Sequence, residues 1–107
     1  YIIKNGELME LKPDKQSIGY NDEMTPFVNH EVKLEKGTSF YLFTDGYADQ
    51  FGGSKGKKFK YSQMKESFLA IHDKPIAQQK LHLIKNFENW RGNLEQVDDV
   101  CVIGVRI

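Results

Sequence analysis

Residues 1–11 read YIIKNGELMEL, two short apolar runs joined at Asn5-Gly6. Asn-Gly accepts the positive φ angles of a type I′ turn, so the segment predicts a β-hairpin. Residues 12–26 are rich in Pro, Asp, Asn and Gly and predict a loop. From Val28 to Leu34 the chain alternates, with Val28, His30, Val32 and Leu34 on one face and Asn29, Glu31 and Lys33 on the other. That period of two predicts a half-buried strand, with His30 a hydrogen-bonded core residue rather than a metal ligand. Glu35-Lys36-Gly37-Thr38 predicts a turn into an antiparallel neighbour, and the apolar run Ser39–Thr44 predicts a strand covered on both faces.

Residues 47–61 hold three glycines and four lysines and predict an exposed, mobile loop. Ser62 is placed to cap a helix with Met64, Phe68, Leu69 and Ile71 as its apolar positions. Asp73-Lys74-Pro75 interrupts it. Pro75 suits the first turn of a second helix, in which Ile76, Ala77, Leu81, Ile84, Phe87 and Trp90 recur at helical spacing, and Gly92 ends it. The last segment, DDVCVIGVRI, predicts an apolar strand. Strands, then two helices, then a strand give an α+β fold: a mainly antiparallel β-sheet with two helices on one face. Apolar residues on both faces require a second cover layer, which a further sheet outside this sequence would supply.

Composition narrows the class. The chain has 107 residues, 39% hydrophobic and 28% charged, the range of one folded domain or part of one. Its opening directly in a strand pattern reads as a fragment. No apolar run reaches the roughly 18 residues of a membrane span, so membrane contact is not expected. The net charge is zero, which argues against nucleic acid as partner. The single Cys101 excludes an internal disulfide and fits a cytoplasmic setting. Charge is unevenly spread: Lys55, Lys57, Lys58, Lys60 and Lys65 crowd one segment, either a solvated loop or a surface that steers a phosphorylated or acidic partner. GGSKGKK is not a phosphate loop, because the glycine spacing is short and Lys58 stands where Ser or Thr is needed.

Two acidic sites remain. Asp45-Gly46 ends the first buried strand and Asp98-Asp99 begins the last. If those strands are antiparallel neighbours, the carboxylates converge at one sheet edge, where a hard cation such as Mg²⁺ or Mn²⁺ would relieve their repulsion. The alternative is that each Asp makes a local turn or cap. Pattern alone weighs these equally.

FYLFTDGYADQFGG together with EQVDDVCVIGVRI resembles the metal-dependent Ser/Thr phosphatases of the type 2C (PPM) class, in the bacterial branch of the stage II sporulation protein E and the phosphatases of stress-response sigma-factor pathways. YIIKNGELMELKPDKQSIG resembles the hairpin and Ile-Gly segment upstream of that motif. The resemblance covers essentially the whole chain. It implies part of an α-β-β-α sandwich, with Asp45 and Asp98 as metal ligands. Asp99 is a further candidate, to orient the site or reach another ion, and Asp49 matches the acidic position after Thr-Asp-Gly. It implies Gly46 as backbone close to the ion, freed by glycine to turn away. Gly52, Gly53, Lys55, Lys57 and Lys58 are read as a flap beside the cleft, because mobile loops often border catalytic sites.

The implied reaction is hydrolysis of phosphoserine or phosphothreonine on a regulatory protein, with two Mn²⁺ or Mg²⁺ ions activating water in a complete domain. Upstream sensory or receiver domains are common in such proteins. Two departures stand out. Cys101 occupies the position of the family's usual Thr. The family's Asp-x-x-Gly-His-Gly segment, whose Asp bridges both metals, has no match here. The chain therefore reads as the C-terminal part of the domain, residues 1–107, inactive alone and binding Mn²⁺ weakly. A degenerate, phosphatase-like docking module is the alternative. An uncovered apolar sheet face would also favour a homodimer.

Overall fold

Asn5 and Gly6 carry φ of 52° and 76° in the computed structural model, which describes residues 1–107. Those left-handed values make the expected turn. The elements, in order, are β1 (Ile2–Lys4), β2 (Glu7–Met9), β3 (Ser39–Phe43), α1 (Gly46–Asp49), β4 (Phe51–Gly52), β5 (Lys57–Lys58), α2 (Lys60–Ile71), α3 (Ile76–Arg91) and β6 (Val102–Arg106). The main sheet has the order β2-β1-β3-β6 with every pair antiparallel. β3 and β6 pair in register from Ser39–Arg106 to Phe43–Val102. The molecule is a slab of 42 × 39 × 19 Å, its thin dimension matching one sheet and one helix layer. The α+β class with an antiparallel sheet and helices is as expected.

The alternation along β3 decides where the helices sit. Tyr41 and Phe43 turn to the helix side, where Tyr41 stacks on Phe68 with centroids 4.3 Å apart and planes at 19°. Gly104, the cross-strand partner of Tyr41, lets that ring lie flat: a Cβ there would sit 3.0 Å from Tyr41 Cε1. From α2 come Met64, Phe68 and Ile71, all fully buried. Burying each such side chain contributes about 1.5–3 kcal/mol before entropic costs. From α3 come Leu83, Phe87 and, partly buried, Trp90.

A polar hub ties the two helices to the sheet. Tyr41 Oη donates to Gln79 Oε1 at 2.7 Å. Gln79 Nε2 donates to the carbonyls of Lys74 (2.7 Å) and His72 (3.2 Å). Arg106 Nη2 donates to the same two carbonyls, at 2.6 Å for Lys74. The turn after α2 exposes carbonyls that the helix ladder cannot satisfy. One amide and one guanidinium satisfy them, and the cation also suits the negative end of α2.

Several expectations are corrected. Residues 28–34 form no strand; Val28, His30 and Leu34 are exposed and no neighbouring segment pairs with them. A strand needs a partner edge as well as a pattern. His30 is accordingly not a core residue. Residues 47–61 are not a mobile loop: α1 and the β4–β5 hairpin occupy them, and Tyr47, Ala48, Gln50 and Phe59 are buried. Ser62 is not a cap, because α2 already begins at Lys60 with no side-chain cap. The buried face of α3 runs through Gln79, Leu83 and Phe87, leaving Ile76, Leu81 and Ile84 exposed. Phe40, Leu42, Ile103 and Val105 form the other sheet face, which is open at Leu42 (61% exposed) and Ile103 (52%) and partly buried at Phe40 and Val105. β3 is thus covered on its helix face and only in part on the other.

Candidate functional site

Beyond Phe43 the β3–β6 ladder continues for one more pair, and a single side chain closes it. The Thr44 N–H donates to the Cys101 carbonyl at 3.0 Å. Thr44 Oγ1 accepts the Cys101 N–H at 3.0 Å and donates to the Asp99 carbonyl at 3.0 Å. The threonine of Thr-Asp-Gly therefore stitches the segment carrying Asp98 and Asp99 to the segment carrying Asp45. The two acidic segments meet at one end of the sheet, as the antiparallel reading required.

Gly46 works differently from the expectation. It has no left-handed φ; it opens the helical turn α1 and is buried. A Cβ at Gly46 would lie 2.3 Å from the Asp99 carbonyl oxygen and 3.2 Å from Val100 Cγ2. Glycine is needed for close approach of two backbones rather than for conformational freedom.

Asp45 stands at the N-cap of α1, and its carbonyl accepts the Asp49 N–H at 2.9 Å. Its carboxylate makes no cap bond and is exposed. Asp98 Oδ1 accepts the Asp99 N–H at 2.8 Å, and both residues are exposed. Asp49 pairs with Lys58 Nζ at 3.4 Å. Burial pushes the Tyr61 phenol above its ordinary pKa, and the negative field of Asp49, Asp45 and Glu10 adds to the shift. That field marks Asp45 and Asp49 as one electronegative neighbourhood beside α2.

A divalent hard cation fits the donor chemistry here, since every donor is oxygen and the Asp45 carboxylate makes no cap bond. The donor number falls short: no group of three or more His, Cys, Asp or Glu side chains is arranged to hold an ion. These residues offer part of a coordination sphere. Cys101 is a free, exposed thiol whose backbone, not its sulfur, joins the site.

The β4–β5 hairpin adjoins the acids through the Lys58–Asp49 pair. It is anchored firmly. The Gly53 N–H donates to the Trp90 carbonyl at 2.8 Å, and Trp90 Nε1 donates to the Gln50 carbonyl at 2.9 Å. A Cβ at Gly52 would fall 1.8 Å from the Trp90 oxygen. Gln50, fully buried, donates to the carbonyls of Phe51 and Glu95, each at 2.9 Å. Sequence reasoning missed this anchor. Its only signal was Gly52-Gly53 followed by a distant tryptophan.

A search of curated proteins finds no match. The fold is similar to the solved SiaA-PP2C domain of Pseudomonas aeruginosa, with a TM-score of 0.73 and 29% identity over 78% of this chain. The matched region is 34% of that structure's length, so the chain spans about a third of it. The family model of Stage II sporulation protein E (SpoIIE) matches residues 1–107. With its Thr44-locked pair of acidic segments on a type 2C phosphatase fold, the chain belongs to the SpoIIE family.

Proposed function

We propose that this chain is the C-terminal part of a metal-dependent protein phosphatase domain that hydrolyses phosphoserine or phosphothreonine on a cytoplasmic signalling protein. The observation that carries the reading is the Thr44 bridge, which brings Asp45 and the Asp98-Asp99 pair to one sheet end in a SpoIIE-family chain. Asp45 and Asp98 are the metal ligands. Asp99 lies on the same segment as an additional acid, and Asp49 sits one helical turn from Asp45, held by Lys58. When bound, a pair of Mn²⁺ or Mg²⁺ ions supplies an activated water and neutralises phosphoryl charge.

The chain's own residues position and exclude. β3 and β6 hold the two carboxylate segments rigidly, and Gly46 keeps the backbones close enough to do so. The β4–β5 hairpin, with Gly52, Gly53, Lys55, Lys57 and Lys58, forms one wall of the cleft. The sheet face exposed at Leu42 and Ile103 is where the second sheet of the sandwich docks. That sheet brings the acids missing from the coordination sphere. Sensory or receiver domains upstream would set when the domain acts.

The test is turnover of p-nitrophenyl phosphate and of a phosphoserine peptide with Mn²⁺. The 107-residue chain is expected to be inert, and the longer protein active. Asp45→Asn and Asp98→Asn in the longer protein should each abolish metal-dependent turnover. Retained activity in both variants refutes the ligand assignment. Robust turnover by the chain alone refutes the division of the site.

A further inference from the structure

From Gln50 to Lys65 the chain carries five lysines and no acid. Lys65 is occupied by Glu10 at 3.0 Å and lies over the Tyr1 ring. Lys58 is shared between Asp49 and the Phe51 ring, 5.8 Å from its centroid. Lys55, Lys57 and Lys60 are exposed and form no ion pair. They are displayed on a hairpin fixed to the end of α3 by the Gly53–Trp90 and Trp90–Gln50 hydrogen bonds, and on the first residue of α2. The Lys58–Asp49 pair joins this ridge to the turn that bears Asp45.

We infer that Lys55, Lys57 and Lys60 form a docking ridge for an acidic stretch flanking the phosphorylated residue of the substrate protein. The inference rests on the phosphatase reading of the adjoining site. A phosphoserine carries about −1.5 to −2 charges at neutral pH. Asp45, Asp49, Asp98 and Asp99 repel such a group until cations are bound. A fixed positive ridge, joined to these acids through the Lys58–Asp49 pair, offsets that repulsion and steers the anion inward. The chain has no net charge, so the attraction is local. A short acidic peptide fits that local field, whereas a nucleic acid would extend its phosphates across the neighbouring aspartates.

The experiment is fluorescence anisotropy with the 107-residue chain at low ionic strength. The probes are a phosphoserine peptide flanked by glutamates, its glutamine-flanked counterpart, and a single-stranded oligonucleotide. The glutamate peptide should bind about tenfold or more tightly than the glutamine peptide, and the gap should close in high salt. Lys55→Glu/Lys57→Glu/Lys60→Glu should abolish or reverse the preference, and the triple Lys→Arg variant should keep it. Equal binding of the two peptides, indifference to charge reversal, or tighter binding of the oligonucleotide through the same lysines overturns the ridge. Binding decides the ridge independently of turnover, which decides the phosphatase reading.

Discussion

Gly46→Ala is the substitution that the site geometry resists most directly. The added methyl carbon would stand 2.3 Å from the Asp99 carbonyl oxygen and 3.0 Å from its carbon. It is about 1 Å short of van der Waals contact, and both obstacles are backbone. Relief requires the Asp98–Cys101 segment to move away from α1. That movement breaks the bonds from Thr44 Oγ1 to Asp99 and from Cys101 to Thr44. Each bond contributes about 1 kcal/mol, and overpacking adds about 1–3 kcal/mol. The expected loss is about 3–5 kcal/mol, read as the urea midpoint at unchanged slope. Gly6→Ala is the control. Open space surrounds Gly6, but its φ is 76°, so its cost of about 1 kcal/mol is conformational alone. A Gly46→Ala loss below 0.5 kcal/mol (roughly the noise of surface substitutions), or one no larger than that of Gly6→Ala, refutes the steric argument.

Thr44→Val keeps the shape but removes both side-chain bonds, and should cost about 1–3 kcal/mol in the same denaturation assay. Tyr47 donates to the Leu83 carbonyl at 2.8 Å, and burial pushes its phenol up to about 12. Its folded pKa exceeds the unfolded value, so its contribution is complete below pH 10 and lost between about 10 and 12. An ultraviolet phenolate titration should show Tyr47→Phe removing a late-titrating group; a Tyr47 that ionises near 10 contradicts this. Lys60 has a φ of 74°, so Lys60→Gly should raise stability by about 0.5–1 kcal/mol, and a loss of stability would count against strain there. Leu42→Lys/Ile103→Lys should leave thermal unfolding of the chain nearly unchanged, since both side chains are exposed; a large loss of stability would mean that this face is buried.

The elements with local signals were legible in the sequence. Asn5-Gly6 specifies its own turn, Gly92 stops α3 with a φ of 55°, and β3 and β6 announce themselves by apolar runs. The meeting of the Asp45 and Asp98-Asp99 segments was legible too, because antiparallel pairing brings the end of one strand to the start of the other. What escaped depends on partners distant in sequence. Val28–Leu34 has a strand's alternation but pairs with neither edge of the sheet, β2 or β6. Gln79 was passed over as a core residue because its burial makes sense only when Tyr41 and the 72–74 carbonyls surround it. Ile76 and Ile84 looked better on hydropathy alone. The glycines of the β4–β5 hairpin resembled a flexible loop, yet Gly52 and Gly53 are required by the carbonyl and ring of Trp90. Glycine marks both mobility and tight packing, and composition does not separate them.

The central claim is that the Asp45 and Asp98-Asp99 segments form one cation site. Mn²⁺ is paramagnetic, so titrating it into the isotopically labelled chain and following amide signals by NMR locates it directly. Signals from Thr44 to Asp49 and from Asp98 to Cys101 should broaden together at the lowest metal additions. They should sharpen in Asp45→Asn and in Asp98→Asn alike. Broadening of one segment without the other, or first broadening around Asp14, Asp22 and Glu23, contradicts the shared site.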